Sequence, residues 1–411
     1  MATFGILVGG GPAPGINGVI GAATILAQRS GARVYGIREG FRWLMAGDTG
    51  HVTPLEIGDV SRIRPLGGSI LLTSRANPTK RAEDLDRVVA TLDQIGIDHL
   101  VTIGGDDTAF SAWRVSEKAG GRIRVAHVPK TIDNDLPLPP GVPTFGFETA
   151  RENATRLLSH LMEDARTTRR WYFSVVMGRN AGHLALGAGT AAGVTLFLIP
   201  EHFPEGPIRL HTVANILEGA IVKRRVMDRP YGVAVIAEGI GERLDPDDVE
   251  VLKDVERDEH GHIRLSEVPL GTVLRYRIRD ALAERGIKIT IVEKDMGYEL
   301  RCAAPNAFDL TYTRDLGAGA VRALLSGRSG VMITRQGESI VPIPLNEMID
   351  PKTGRTRLRL VDTSTESHEN AWALQVRIEN SDLESPEMLK ALAETARISE
   401  EEVKERYRPI R

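Results

Sequence analysis

Two short loops constrain this chain more than any other feature, GGDDT at residues 104–108 and PKTIDND at residues 129–135. Each follows a β-branched run, 99–103 or 124–128, that predicts a buried strand. If these strands are parallel neighbours, both loops leave the edge of the sheet where open α/β sheets bind ligands. The alternative interpretation is that these aspartates only cap helix N-termini, but capping would explain just one carboxylate in each turn. Four carboxylates, with Asp107 expected opposite Lys130, instead favour a site that handles a metal, a phosphate or a proton.

Composition limits the kinds of partner. The 411 residues are enough for two domains, and 42% hydrophobic with 26% charged residues is typical of a globular protein. With a net charge of −3, the chain lacks the overall positive charge that favours binding to nucleic acid or an anionic membrane. Anionic substrates would therefore have to be bound by a local cluster of Arg and Lys. One cysteine, no leader pattern after Met1 and no membrane-length apolar run predict a cytoplasmic protein without nucleic-acid or membrane partners.

Glycine turns after strands recur along the first part of the chain. The run 3–8 predicts a strand, and GGGPAPG at 9–15 leads into a helix to about residue 30, a geometry that favours anions. Taken alone this signal is weak, because the Walker pattern is absent and the dinucleotide fingerprint fails by one position. A second turn, residues 67–75, ends on Arg75. A helix is predicted from residue 81 to 95, before the strand at 99–103.

The second part alternates in the same way. A strand at 171–176 opens into MGRNAGH at 177–183, and a strand at 231–237 ends at Glu238. A helix cap is an equally good interpretation of Glu238 on local grounds. Residues 243–267 are acidic and predict a surface insertion, and the tail after Ser381 has a charged, helical pattern. The alternation of strands and helices predicts an α/β fold.

With these residues in view, the chain resembles the phosphofructokinase family, in its pyrophosphate-using branch. The resemblance implies two Rossmann-like lobes with largely parallel sheets and the active site in the cleft between them. It predicts an N-terminal lobe at 1–140 that binds the phosphoryl donor and the metal, and a C-terminal lobe at 141–330 that binds the sugar phosphate. A return of the chain to the first lobe is expected near the end of the second, and 331–411 is expected to be a C-terminal extension. The motifs that match the family occur in the same order along the chain, from Gly9 to about Ser326. They are Gly10-Gly11 with Pro14-Gly15, Gly67-Gly68 with Arg75, Gly104-Gly105-Asp106, Thr131-Ile-Asp-Asn-Asp135, Met177-Gly178-Arg179 with Gly182, Glu238-Gly239, and Gly297-Tyr298 with Arg301.

Two positions distinguish the phosphoryl donors of this family. Bacterial members that use ATP carry glycine at the positions that match Asp107 and Lys130, whereas here both are filled. A carboxylate at Asp107 would repel and crowd the α-phosphate of a nucleotide. Lys130 would supply a cation near the reacting phosphoryl group. The resemblance therefore implies phosphoryl transfer from Mg²⁺-pyrophosphate to the 1-hydroxyl of fructose 6-phosphate, a reversible step of glycolysis, with an ATP-dependent phosphofructokinase as the alternative.

The resemblance also implies roles for single residues. Asp133 would be the general base, Asp106, alone or with Asp135, would hold Mg²⁺, and Thr131 would position the nucleophile. The backbone N–H of Gly11 would bind the donor phosphate, and Arg75 with the catalytic residues Lys130 and Arg179 would neutralise the charge of the phosphoryl group during transfer. The sugar phosphate would be bound by Met177, Gly178, Glu238, Tyr298 and Arg301. Arg170 matches a position that reaches the sugar phosphate of a neighbouring subunit, which implies a homodimer or homotetramer.

Some positions depart from the family pattern, and two other functions are alternatives. Pro12 replaces a common Asp, Tyr298 replaces the His of bacterial ATP enzymes, and Lys294 is the candidate for an arginine that is missing. A Rossmann oxidoreductase would use the first glycine loop but leaves Asp106 and Asp133 unexplained. A non-catalytic regulatory paralogue would have no reason to keep that base. Acceptor breadth, including sedoheptulose 7-phosphate, stays open.

Overall fold

A computed structural model describes residues 1–245, 247–248 and 269–410. Most of the predicted acidic insertion at 243–267 lies outside these residues. The strands are β1 (Thr3–Val8), β2 (Arg33–Ile37), β3 (Val52–Pro54), β4 (His99–Gly104), β5 (Arg124–Thr131), β6 (Phe145–Gly146), β7 (Trp171–Val176), β8 (Leu196–Leu198), β9 (Gly232–Ala237), β10 (Ile291–Met296), β11 (Val331–Gln336) and β12 (Ser339–Pro344). The helices are α1 (Ile16–Arg29), α2 (Arg42–Ala46), α3 (Ile57–Val60), α4 (Ala82–Ile95), α5 (Asp106–Ala119), α6 (Phe147–Thr168), α7 (His183–Ala192), α8 (Leu210–Val226), α9 (Gly239–Glu242), α10 (Leu270–Glu284), α11 (Tyr298–Arg301), α12 (Ala307–Leu325), α13 (Glu366–Ala373), α14 (Asn380–Glu384), α15 (Pro386–Ala396) and α16 (Glu400–Arg406).

The chain divides into two compact units, each made of two segments. The first unit contains Met1–Ala150 and Tyr298–Arg359, and the second contains Arg151–Gly297 and Leu360–Arg411. These bounds differ from the lobes predicted at 1–140 and 141–330, and the predicted extension at 331–411 is shared between the units. The physical reason is strand pairing, because β11 pairs with β5 and β12 with β11, so this part of the chain completes the first sheet.

The sheet of the first unit has the order β12-β11-β5-β4-β1-β2-β3. Neighbours from β11 to β2 are parallel, and the outer strands β12 and β3 are antiparallel. β1 and β4 are buried along their whole length, as is typical of parallel strands covered on both faces. Helices α1 and α12 pack together over one core, which includes Phe4, Ile20 and Tyr312.

The sheet of the second unit has the order β10-β7-β9-β8, with all pairs parallel. β7 begins and ends at the residues expected from the sequence. β10 was expected at 288–293 but begins at Ile291 and ends at Met296, because its register with β7 pairs each of these residues in turn. It lies at the edge of the sheet, which allows its polar residues Lys294 and Asp295 to be exposed.

A buried carboxylate links the last helices to the second unit. Glu218 on α8 is 1% exposed and accepts hydrogen bonds from Arg285, Arg406 and the hydroxyl of Tyr407. Burial alone would raise the pKa of Glu218, but the hydrogen bonds from these three side chains outweigh it and lower the pKa. The tail is therefore packed on this unit through a compensated charge.

None of the helices in the described ranges is both long and apolar enough to cross a bilayer.

Candidate active site

The ends of three neighbouring strands in the first unit bring the glycine-rich and acidic loops together. β4 and β5 are parallel and in register from His99 opposite Arg124 to Gly104 opposite Pro129. β1 lies on the other side of β4, and the amide of Gly9 donates to the carbonyl of Ile103 at 2.8 Å. The expectation that the two acidic loops leave the same sheet edge is confirmed.

The loops after β1 and β4 approach each other around the side chain of Thr108. A Cβ atom on Gly9 would lie 2.4 Å from the Thr108 hydroxyl, and one on Gly104 would lie 2.3 Å from its Cβ. Neither position has room for a side chain. The two glycines thus permit a close approach of backbone that puts the amides of the glycine loop beside the start of α5.

The first acidic loop is part of a helix. α5 begins at Asp106, three residues before the helix predicted from residue 109, and Asp106 and Asp107 occupy its first turn. The N-cap is Gly105, which supplies no side-chain cap. Asp106 and Asp107 therefore do not act as N-caps, although their charge is favoured by the positive end of the helix dipole. The free amides of this end are also suited to an anion.

Lys130 is a buried cation at the centre of this edge. Its side chain is 4% exposed, and its Nζ donates a hydrogen bond to the carbonyl oxygen of Gly11. Burial is the largest influence on its pKa, which falls to about 8. The neighbouring charges of Arg301 and Arg75 lower the pKa further, whereas Asp133 and Asp106 raise it. Five charged residues that were singled out in the sequence therefore lie within electrostatic reach of one another.

Two arginines reach this centre from distant parts of the chain. Arg75 follows Ser74, whose carbonyl accepts from the amide of Gly10 at 2.8 Å. Arg301 lies on α11, and a Cβ atom on Gly11 would be 3.6 Å from its guanidinium carbon. The same guanidinium lies 5.2 Å from the ring centre of Tyr298, which is 65% exposed. Arg301, which the resemblance places at the sugar phosphate, thus lies beside the glycine loop.

The second acidic loop has a defined backbone. The amide of Asp133 donates to the Thr131 hydroxyl at 3.0 Å, and Asn134 adopts a left-handed conformation with φ of 56°. The side-chain oxygen of Asn134 accepts from the amide of Thr144 at 3.0 Å, and the Thr144 hydroxyl donates to the carbonyl of Thr131 at 2.7 Å. These bonds fix the direction in which Asp133 and Asp135 leave the loop.

His127 supports the first acidic loop from inside the sheet and was not among the predicted site residues. It is fully buried, and burial lowers its pKa to about 3, so the ring is neutral. Nε2 lies 3.0 Å from the carbonyl oxygen of Gly104, and Nδ1 lies 2.8 Å from the Thr102 hydroxyl. Because a carbonyl only accepts, Nε2 carries the proton and Nδ1 accepts from Thr102. The sequence did offer one indication of this role, because His127 is a polar residue inside the otherwise apolar strand predicted at 124–128.

The second unit carries a separate group of predicted residues. Val176 pairs with Ala237 where β7 and β9 end side by side, which brings Met177 and Gly178 next to Glu238. The Glu238 carboxylate accepts from the amide of Gly178 at 3.0 Å. Arg179 follows in the same loop. Glu238 is thus tied to the loop it was predicted to accompany.

Arg170 is not brought to this loop within its own chain. It immediately precedes β7, whereas Met177 immediately follows it, and six strand residues span about 20 Å. Its Nε lies 4.0 Å from the carboxylate of Asp164.

The structure therefore places the predicted site residues in two groups. The first unit holds Gly11, Arg75, Asp106, Asp107, Lys130, Thr131, Asp133, Asp135, Tyr298 and Arg301, and the second unit holds Arg170, Met177, Gly178, Arg179 and Glu238.

Comparison with known proteins agrees with these features. Residues 3–324 match the family described as Phosphofructokinase. The chain belongs to the phosphofructokinase family. A Thermotoga maritima protein named pyrophosphate–fructose 6-phosphate 1-phosphotransferase is 54% identical over 98% of this chain and 97% of its own length. A protein of the same name from Naegleria fowleri is 49% identical over 98% of this chain and 94% of its own.

A solved structure supports the fold. Phosphofructokinase from Saccharomyces cerevisiae superimposes with a TM-score of 0.66 at 24% identity, over 84% of this chain. This chain spans 45% of the length of that yeast chain. The predicted α/β phosphofructokinase fold is therefore confirmed.

The phosphofructokinase family generally uses a divalent metal, and the residues present fit one. In the described ranges no group of three or more His, Cys, Asp or Glu side chains could enclose a metal ion. Mg²⁺ does not require such a cage, because it keeps several waters and is held by one or two carboxylates together with substrate phosphates. Asp106, at a helix start beside the buried Lys130, provides a carboxylate of this kind.

Proposed function

We propose that this chain transfers a phosphoryl group from pyrophosphate to the 1-hydroxyl of fructose 6-phosphate, giving fructose 1,6-bisphosphate and phosphate. The observation that carries the proposal is the buried Lys130 beside the glycine loop, in a chain 54% identical to a protein named for this reaction. Burial lowers the pKa of Lys130, so keeping this side chain charged costs free energy, and a bound polyanion compensates that cost.

Pyrophosphate binds to the first unit in this proposal. The amide of Gly11 and the side chains of Arg75 and Lys130 hold its phosphates, and Arg179 of the second unit contributes a further positive charge. Such cations stabilise the negative charge that spreads over the transferring group. Asp107 excludes a nucleotide, because its carboxylate takes the place of the α-phosphate and repels it.

Asp133 is the general base. Its carboxylate accepts the proton of the sugar 1-hydroxyl as that oxygen bonds to the phosphorus atom. At the same time the bond from this phosphorus to the bridging oxygen of pyrophosphate breaks, and inorganic phosphate leaves. Thr131, whose hydroxyl accepts from the amide of Asp133, orients both the base and the nucleophile.

The divalent metal in this proposal is Mg²⁺, held by Asp106, alone or with Asp135. When bound, it offsets phosphate charge and orients the phosphates for in-line transfer.

In this proposal the sugar phosphate binds through residues of both groups. Met177, Gly178 and Glu238 contact the sugar, and Glu238 is held for this task by the amide of Gly178. Tyr298 and Arg301 bind the 6-phosphate. Because Arg301 also lies beside Gly11, its guanidinium is suited to either phosphate-bearing substrate.

The proposal includes a homo-oligomer, either a dimer or a tetramer. Arg170 lies at the opposite end of β7 from Met177, which supports a role in the site of a neighbouring subunit. A cytoplasmic location is also proposed, because a single cysteine suits a reducing compartment.

The first experiment compares turnover of fructose 6-phosphate with Mg²⁺-pyrophosphate and with Mg²⁺-ATP at equal concentrations. We expect pyrophosphate to be preferred by at least about 100-fold, and Asp107→Gly to reduce that preference, because excluding the wrong donor depends on repulsion. A preference for ATP in the unmodified protein would contradict the donor assignment, and no turnover with either donor would contradict the reaction.

A further inference from the structure

The segment after β12 forms an arm, residues 345–359, that lies beyond the residues matched by the family. Leu345 and Met348 are buried in the core of the first unit, at 1% and 4% exposure. The arm then turns back on itself, since Ile349 forms an antiparallel bridge with Thr356 and the amide of Asp350 donates to the carbonyl of Arg355 at 2.8 Å. The returning half of the arm is thereby directed to a fixed position.

This returning half reaches both acidic loops of the first unit. The hydroxyl of Thr356 donates to the backbone carbonyl of Asp106 at 3.3 Å. The backbone amide of Arg359 donates to the carbonyl of Asp135 at 2.8 Å. The arm thus contacts the loop of the proposed metal ligand and the loop of the proposed base.

The guanidinium of Arg359 makes the strongest of these contacts. Its Nε and Nη2 donate to the backbone carbonyl of Asn134 at 3.0 and 2.9 Å, and Nη2 also donates to the side-chain oxygen of Asn134. Nη1 donates to the carbonyl of Val142 at 2.7 Å. The planar group of arginine can satisfy several acceptors at once in fixed directions, which an ammonium group cannot do.

Asn134 is a residue that needs such support. It follows the proposed base directly, and its φ of 56° lies in the left-handed region, which costs asparagine less than most residues but is still less favourable than the ordinary regions. A backbone in this region costs free energy and persists only where its surroundings determine it. Thr144 and Arg359 supply those surroundings, Thr144 from the same loop and Arg359 from the arm.

We propose that Arg359 is a positioning residue that holds Asn134 and so directs the carboxylate of Asp133. This inference rests on the function proposed above and adds a residue from outside the family match. Arg359 touches neither substrate and acts through the backbone of the loop.

The test compares Arg359→Ala and Arg359→Lys with Arg355→Ala, which removes an exposed arginine of the same arm. We expect Arg359→Ala to lower kcat about 100-fold with KM for both substrates within about threefold, because a misplaced base slows the chemical step. Arg359→Lys should lose about tenfold, since a lysine satisfies fewer of the carbonyls. Arg355→Ala should stay within about twofold, as expected of an exposed side chain. Methylguanidinium should restore part of the kcat of Arg359→Ala.

A second readout is independent of turnover. Amide hydrogen exchange without substrates should become at least about tenfold faster at residues 131–135 in Arg359→Ala, while β4 and β1 stay unchanged. A kcat above half of the original value, or faster exchange throughout the first unit, would overturn the positioning role. If Arg359→Ala does not fold, Arg359→Lys decides by the same criteria. If the unmodified protein does not turn over fructose 6-phosphate, the proposed function fails, while localised exchange still shows that Arg359 holds the loop.

Discussion

Two buried charges, one in each unit, are treated in opposite ways. Glu218 in the second unit accepts from Arg285, Arg406 and Tyr407, and these donors lower its pKa in spite of burial. Lys130 in the first unit is equally buried, but burial dominates and its pKa falls to about 8. Folding therefore favours the charged form of Glu218 and disfavours the charged form of Lys130.

The difference separates a structural charge from a functional one. A buried charge whose partners come from its own chain stabilises the packing around it, provided that all partners are present. A buried charge whose neighbours do not outweigh the effect of burial is compensated by a ligand of opposite sign, and its cost in the free protein is recovered on binding. Perturbed groups of the second kind cluster at functional sites.

The largest effect is expected for Lys130→Met. Loss of the cation should lower kcat about 10³-fold, because charge stabilisation of the transferring group is lost. The same change should leave the protein as stable or raise its free energy of unfolding by about 1–2 kcal/mol, because a buried charge is removed. Steady-state kinetics and urea denaturation measure the two quantities. Lys118→Met, at an exposed lysine paired with Asp86, is the matched control and should change neither.

The opposite pattern is expected for Glu218→Gln. Removing the carboxylate leaves two arginines without their charge partner and should lower the free energy of unfolding by about 2–4 kcal/mol. The kcat of the folded protein should stay within about twofold, because Glu218 lies among the packing contacts of the second unit. Glu163→Gln, at an exposed pair with Arg166, is the control. A loss of kcat without a loss of stability would contradict the view that Glu218 is a structural charge and Lys130 a functional one.

The lowered pKa of Lys130 also predicts how stability and pyrophosphate binding depend on pH. The pKa of Lys130 in the folded protein, about 8, lies below its ordinary value of 10.5, so between these pH values the unfolded chain holds more protons. Stability contributed through this group therefore increases as pH rises from 8 to 10.5. Binding of pyrophosphate favours the charged form and should take up about one proton at pH 9.

Calorimetry of pyrophosphate binding in buffers with different ionisation enthalpies measures this uptake. The same titration of Lys130→Met corrects for protons that pyrophosphate itself exchanges on binding. Equal uptake by the two proteins would show that Lys130 is already charged in the free site.

The smallest effect is expected for Tyr407→Phe. The hydroxyl is one of several donors to Glu218, so its loss should lower the free energy of unfolding by about 1 kcal/mol. Activity should not change. Thermal denaturation detects the shift, and a loss close to that of Glu218→Gln would mean that the hydroxyl, and not the arginines, carries the compensation.

Much of the fold could be predicted from local patterns. β1 and β7 were expected at the residues where they occur, because continuous apolar runs are characteristic of strands buried on both faces. The start of α5 was placed three residues late, since Asp106 and Asp107 carry no helical periodicity and are stabilised by the helix dipole. A return of the chain near the end of the second lobe was expected, but the bounds of the two-segment units were not predicted, for another reason. The pairing of β11 with β5 joins residues about 200 positions apart, and no local pattern contains it.

By itself the sequence determined the chemical groups at the site and the strands that carry them. The acidic loops, the glycine turns and Lys130 each follow an apolar run, and parallel strands necessarily bring such loops to one edge. Only the tertiary structure decided which distant groups complete that edge. Arg301 belongs to a motif that the resemblance assigns to the sugar phosphate, but its place beside Gly11 was not predicted, and neither was the contact of Arg359 with the backbone of Asn134. Their positions depend on how the closing segments pack on the first core, a long-range property that residue order does not display.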